Sequence, residues 1–313
     1  MRPDRITLAA FAGFVLIAGL VSVAIRLGSF ELAPFWAATL RYAMAVVILT
    51  GMALALHISF PRGANLVGAL LMSVTYVVSI ALYYVGVGGS SASIGALAFA
   101  PAPLVTLAFA GLIRLERFTL RGVVGALVAA SGVAVVVSEQ LSAAVPLPAL
   151  VALGGAMLFA AMTAVVIKRI PPGDPIAANA VGGVFVLPIL VALSIIAGES
   201  WALPSRPETW AALAFLVVFG TVLLFPLALF IIGRWTASGY SYTGIFKPLA
   251  GVALAALILG EPMRLTFVVG GALVLFGVWV GAFSVPTRRV SSDSIGTEPG
   301  LVLAPVSADD ALR

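Results

Sequence analysis

The sequence predicts an all-α polytopic membrane protein, with about ten transmembrane helices arranged as two inverted five-helix repeats. Three observations predict it. Charge is nearly absent: 62% of the 313 residues are hydrophobic and 9% are charged, with a mean hydropathy of +1.19. Soluble domains are about a quarter charged, and no soluble fold hides so much apolar surface from water. The apolar residues fall in successive runs of about 20, the length that spans a hydrocarbon core as a helix. Finally, the chain duplicates itself, with an odd number of runs in each copy.

The runs follow in order. The first, near 6–25, comes after Arg2 and Arg5 and is too long for the core of a cleaved signal, so it is expected to remain as a span. The second, 33–56, opens at Pro34 and carries Arg41. The third, 64–87, carries a hydroxyl stripe of Ser73, Tyr76, Ser79 and Tyr83. The fourth, 90–113, contains Pro101 and Pro103, and the fifth, 120–138, is rich in glycine. The sixth, 148–167, ends on Lys168 and Arg169; the seventh, 175–197, opens at Pro175; the eighth is 208–232. The ninth, 240–259, contains Lys247 and Pro248, and the tenth is 265–285. The segment 286–313 turns polar and reads as a disordered cytoplasmic tail.

Basic residues orient the spans. With the N-terminus inside, Arg2, Arg5, Arg62, Arg114, Arg117, Arg121, Lys168, Arg169, Arg234, Arg288 and Arg289 all fall inside. Arg26, Arg206 and Arg264 fall outside. Both termini are therefore expected in the cytoplasm. This scatter reads as topology and not as a nucleic-acid surface.

The duplication is visible residue by residue. "LERFTLRGVVGALVAASGVAV" (115–135) aligns with "GEPMRLTFVVGGALVLFGVWV" (260–280). Glu116 matches Glu261, Gly125 matches Gly270 and Gly132 matches Gly277, while upstream Pro103 matches Pro248 and Ala92-Ser93 matches Ala237-Ser238. The copies are expected over 1–143 and 144–285, in opposite orientations.

These residues resemble a family. The paired Gly/Leu-Glu loop before a Gly-rich last span, together with "PFWAATLRYAMAVVIL" (34–49), is similar to the EamA-type branch of the drug/metabolite transporter superfamily. Within that branch the chain looks closest to bacterial exporters of aromatic and other neutral amino acids, the YddG type. The resemblance implies a secondary transporter in the bacterial inner membrane, exporting small metabolites by alternating access at a midplane cavity. One departure is that the second copy has Gly182 where the first has Arg41.

The chemistry present excludes most alternatives. The chain has no cysteine, hence no disulfide, thiolate catalysis or Cys-ligated metal, and His57 is the only histidine. "GYSY" (239–242) lacks a base placed to serve Ser241, and there is no HExxH, P-loop or dinucleotide fingerprint. No enzyme activity, metal or cofactor is expected. The partners expected are a small-molecule substrate and the lipid bilayer, with the oligomeric state left open; Gly277 and Gly281 form one GxxxG that packing within the chain explains equally well.

A cation inside a span costs about 3 kcal/mol on insertion scales, and two are present. Lys247 shares a helical face with Tyr240 and Thr243, and either snorkels or draws a carboxylate into a wet cavity. Arg41 is expected to be structural, bonding to helix-end carbonyls. Tyr76, Ser79, Tyr83, Phe99, Phe159 and Thr163 are candidate cavity wall, with Thr221 and Phe225 as further lining. Pro103 and Pro248, matched between copies, are candidate hinges. Every Asp and Glu falls in a loop or at a span end, so no intramembrane proton relay is evident, which favours facilitated exchange over proton antiport. The rival readings are an exporter of another metabolite or drug class, and a non-transporting membrane scaffold.

Overall fold

Proline and short polar side chains start the helices. Pro34, Pro175 and Pro207 stand in the first turns of their helices, where a missing N–H costs nothing. Asp174 accepts from the backbone N–H groups of Ile176 and Ala177, and Ser91 from that of Ile94. The computed structural model describes residues 4–112, 120–142, 145–234, 243–263 and 265–283. The tail and Tyr240 lie outside the described residues.

Within them the chain is helical. The elements are α1 (Arg5–Gly28), α2 (Pro34–Ala55), α3 (Ala64–Gly88), α4 (Ala92–Ala98), α5 (Ala102–Leu112) and α6 (Leu120–Ser142) in the first half. The second half holds α7 (Leu147–Arg169), α8 (Pro175–Ile196), α9 (Pro207–Val217), a π-helical turn (Val218–Leu223), α10 (Leu224–Arg234), α11 (Thr243–Leu259) and α12 (Leu265–Phe283). Five of them, α1, α2, α3, α7 and α8, are long and apolar enough to cross a membrane. Outward-facing Val47, Val151 and Leu257 are exposed, an inside-out surface suited to lipid.

Two runs differ from a continuous helix. The fourth breaks over 99–101, where Pro101 has no N–H to offer and single-turn bonds from Ala102 to Phe99 and from Leu104 to Pro101 bridge the gap. The eighth widens into the π-turn between α9 and α10.

The halves interleave. α2 packs on α8 and α6 on α12, while α1 meets α9, α10 and α11 much as α7 meets α3 and α5. Glycines set the α6–α12 approach. A Cβ on Gly132 would stand 2.5 Å from the Gly270 carbonyl oxygen and 2.7 Å from the Val274 nitrogen. One on Gly277 would stand 2.5 Å from the Gly125 carbonyl oxygen and 2.4 Å from the Ala129 nitrogen. The two sets of contacts are the same set with the copies exchanged. As position advances along α6 it retreats along α12, so the pair is antiparallel. An exchange of antiparallel helices is a two-fold rotation about an axis perpendicular to them. The same packing engages Gly277 inside the chain. Gly182 has a packing reason too, since a Cβ there would overlap the Ser73 hydroxyl.

One end of the bundle is clasped by carboxylates, each accepting backbone N–H groups from the opposite half. Glu199 accepts from Phe35 and Trp36 at 3.0 and 2.8 Å, at the start of α2. Glu261 accepts from Ala92 and Ser93 at 2.8 and 2.9 Å, at the start of α4. Glu31 accepts from Ser205 and Arg206 ahead of α9. These anions sit on the positive ends of helix dipoles. Trp36 and Trp201 stack at 5.2 Å beside them.

Candidate functional site

Arg41 lies on α2, roughly 10 Å in from Pro34 at 1.5 Å per residue. Among the described residues it is the largest fully buried side chain, 1% exposed. Its Nε donates to the Thr221 hydroxyl at 3.0 Å and its Nη2 to the Gly220 carbonyl at 3.1 Å. Both acceptors belong to the π-turn, where widened helical bonding turns backbone oxygen toward a side chain. The Thr221 hydroxyl in turn donates to the Leu216 carbonyl at 2.9 Å.

The rest of the guanidinium is unanswered. Its Nη1 has no hydrogen-bond partner, and neither do the buried hydroxyls of Tyr42 and Tyr84. The guanidinium lies 5.8 Å from the centre of the Tyr42 ring, and Tyr84 and Tyr76 stand within its electrostatic reach. Tyr76, more than a third exposed, packs edge-on against Tyr42 with ring centres 6.5 Å apart. No described carboxylate pairs with Arg41; the ion pair seen among the described residues, Arg234 with Asp4, lies at the opposite end of the bundle from the carboxylate clasp.

Above this cluster, toward that clasp, is a cavity of about 380 Å³ whose wall includes Glu31, Pro34, Ala37 and Tyr84. A smaller space of about 10 Å³ shares Ala37 and Tyr84 and reaches Leu216. Ala37, part of that wall, is one helical turn from Arg41.

The other sequence candidates distribute around the bundle. Tyr83 stacks edge-on with Phe99 at 4.9 Å, bringing α3 against the break after α4. Ser79 donates to the Ala156 carbonyl at 2.7 Å across to α7, and Ser73 donates to its own helix at Ala69. The Thr163 hydroxyl lies 2.9 Å from that of Thr75 and 2.8 Å from the Phe159 carbonyl, with Phe159 half-buried. Thr243 is buried and Lys247 half-buried on α11, and no described residue bonds the Lys247 ammonium. Pro248 is buried within α11, and Pro103 falls in α5. The structure brings Tyr76 to Tyr42, beside Arg41, and sends Ser73, Ser79 and Tyr83 to Ala69, Ala156 and Phe99.

Tyr84 and the π-turn were not legible in the sequence. One signal for Arg41 was present: the absence of an intramembrane acid leaves it as unpaired as Lys247.

No curated protein matches this sequence. A solved crystal structure superimposes with a TM-score of 0.61 over 91% of this chain and 99% of the other, at 16% identity, which shows a shared fold alone. The profile of the EamA-like transporter family matches residues 5–138 and matches again at 147–282. Family members are membrane transporters of small metabolites. With nearly the whole chain accounted for by two copies of its domain, the protein belongs to the EamA-like transporter family.

Proposed function

We propose that the chain is a secondary transporter of the YddG type, exporting aromatic and other neutral amino acids across a bacterial inner membrane. Ten spans form two inverted halves, 1–143 and 144–285, that rock about Pro103 and Pro248 around a midplane cavity. The carboxylate-clasped end faces outward, and the end bearing Arg5, Arg62, Arg121, Lys168, Arg169 and Arg234 faces the cytoplasm, in keeping with the positive-inside rule. No catalytic group has a role in this reading, and transport runs down a gradient.

The observation that carries the reading is Lys247: a half-buried cation on a membrane helix, with neither a bonding partner nor an acid beside it among the described residues. Such a charge is costly unless water or an anion reaches it. A substrate carboxylate does so with a charge-assisted hydrogen bond. In this reading the residues expected around the rest of the amino acid are Tyr76, Ser79, Tyr83, Phe99, Phe159, Thr163 and Thr243, with Tyr240 outside the described residues.

The test is Lys247→Met in proteoliposomes, with counterflow of labelled phenylalanine and of phenylalanine amide. Loss of one charged hydrogen bond is expected to lower phenylalanine flux by about tenfold or more. The amide should lose far less. Equal flux for wild type and variant at matched protein content would leave Lys247 a membrane anchor and remove the main substrate contact.

A further inference from the structure

We propose that Arg41, Tyr42 and Tyr84 form a second anion-recognition site, which receives the substrate's carboxylate in the outer half of the membrane. It rests on the transporter reading for its ligand, but on a separate set of residues for its geometry.

Three orphaned polar atoms carry the argument. Arg41 Nη1, the Tyr42 hydroxyl and the Tyr84 hydroxyl are all buried with no hydrogen bond of ordinary length, in residues 1%, 7% and 3% exposed; Tyr84 stands beside Arg41 and Tyr76 beside Tyr42, near enough to interact electrostatically. Native proteins leave few buried polar atoms unmatched, and an arginine cannot relieve its burial by losing its proton. Two of the orphans are hydroxyls that can each donate, and the third is an N–H of a cation. Converging donors around a positive charge recognise an anion with planar, multidentate oxygens, which is the chemistry of a carboxylate.

The remaining guanidinium nitrogens explain why the charge stays in place. Nε and Nη2 are tied to Thr221 and Gly220, so the π-turn fixes the plane of the fork and leaves Nη1 aimed elsewhere. π-turns of this kind occur often at functional sites. A Cβ at Gly220 would approach Arg41 Nη2 to 3.4 Å, so the turn is closely fitted to the arginine.

The route in would be the cavity of about 380 Å³, within the size range of small-molecule sites, whose lining does not include Arg41 or Tyr42. Tyr84 is part of its wall, and Ala37 lies one turn from Arg41. Glu31 belongs to the same wall. The wall thus carries one anion, Glu31, and Arg41 stands one helical turn behind Ala37, an arrangement that would suit a zwitterion with its carboxylate toward the arginine. Lys247 on α11 and Arg41 on α2 then serve successive positions of one carboxylate.

The experiment measures equilibrium binding of labelled benzoate to the purified full-length protein in detergent, with benzamide and chloride as competitors. Tyr84→Phe removes one orphan hydroxyl and keeps the ring; Val47→Ala, on the exposed face of α2, is the control. Benzoate is expected to bind saturably, with benzamide failing to compete. Tyr84→Phe should weaken benzoate about tenfold, while the unliganded protein melts at or above the wild-type temperature because an unsatisfied hydroxyl has been removed. Val47→Ala should bind as wild type. Benzoate binding unchanged by Tyr84→Phe would overturn the proposal. So would a lowered melting temperature with unchanged binding, the mark of a structural hydroxyl. Chloride displacing benzoate at equal concentration would show a site for small inorganic anions and overturn the substrate assignment. Benzoate binding without any counterflow would leave the site standing and sink the transport reading; counterflow with full activity in Tyr84→Phe would do the reverse.

Discussion

Gly277→Ala adds one methyl group at a close backbone approach between the two halves. That carbon would stand 2.4 Å from the Ala129 nitrogen and 2.5 Å from the Gly125 carbonyl oxygen, where ordinary contact is 3.4–4 Å. Both obstacles are backbone, so no rotamer change relieves them, and α6 and α12 must separate. Overpacking of this kind costs about 1–3 kcal/mol. At about 2–4 °C per kcal/mol for larger domains, the unfolding midpoint should fall by about 2–12 °C. The assay is thermal unfolding in one detergent at one scan rate, followed by tryptophan fluorescence. Gly132→Ala makes the same contact from the other copy and should fall by a similar amount. Because both separate the same helix pair, the double variant should lose less than the sum. Gly51→Ala, with nothing within 4 Å of the new carbon, is the control and should hold or rise slightly through helix propensity. Wild-type midpoints for both Gly132→Ala and Gly277→Ala would refute the two-fold packing.

Two further predictions concern the carboxylate clasp. Hydroxyls of Ser205 and Thr209 and the Ser205 N–H hold the Glu31 carboxyl down from the ordinary 4.5 to about 2. Its folded value is the depressed one, so its contribution is full above pH 4.5 and is lost as pH falls toward 2; over that window the wild-type unfolding midpoint should drop more steeply than that of Glu31→Gln. Glu199→Ala strips acceptors from the Phe35 and Trp36 N–H groups and from the Ser194 hydroxyl, and should cost about 1–3 kcal/mol in detergent unfolding, whereas exposed Glu208→Ala should cost almost nothing.

Much of the fold was legible because a membrane helix announces itself by length and hydropathy. Pro34 and Pro175 marked helix starts correctly, and the glycines matched between the copies lie where α6 and α12 touch, a pairing that the sequence did not predict. The break at Pro101 was foreshadowed by the prolines, but the π-turn over 218–223 was not. Its sequence, VFGTVL, is ordinary helix former, and only Arg41 arriving from α2 gives the widened turn a purpose. The α3 stripe shows a limit of periodicity. Ser73, Tyr76, Ser79 and Tyr83 share a broad face, yet a buried helix has neighbours on all sides, and a spread of tens of degrees sends Ser79 to α7 and Tyr76 to α2. Tyr84, next to a residue the stripe did include, points to the arginine instead. Loop glutamates were legible as loop residues, but that Glu199 and Glu261 cap helices of the other half depends on contacts more than 160 residues apart.

The central claim is that two copies of one domain lie in opposite orientations across a membrane, and sidedness tests it most directly. Phe118 and Met263 occupy matched positions in the two copies, and the native chain has no cysteine, so single cysteines at each report without background. In intact cells a membrane-impermeant thiol reagent should label Met263→Cys from outside, and should reach Phe118→Cys only after the membrane is opened. Labelling of both from the same side would contradict the inverted arrangement and, with it, alternating access between inverted halves.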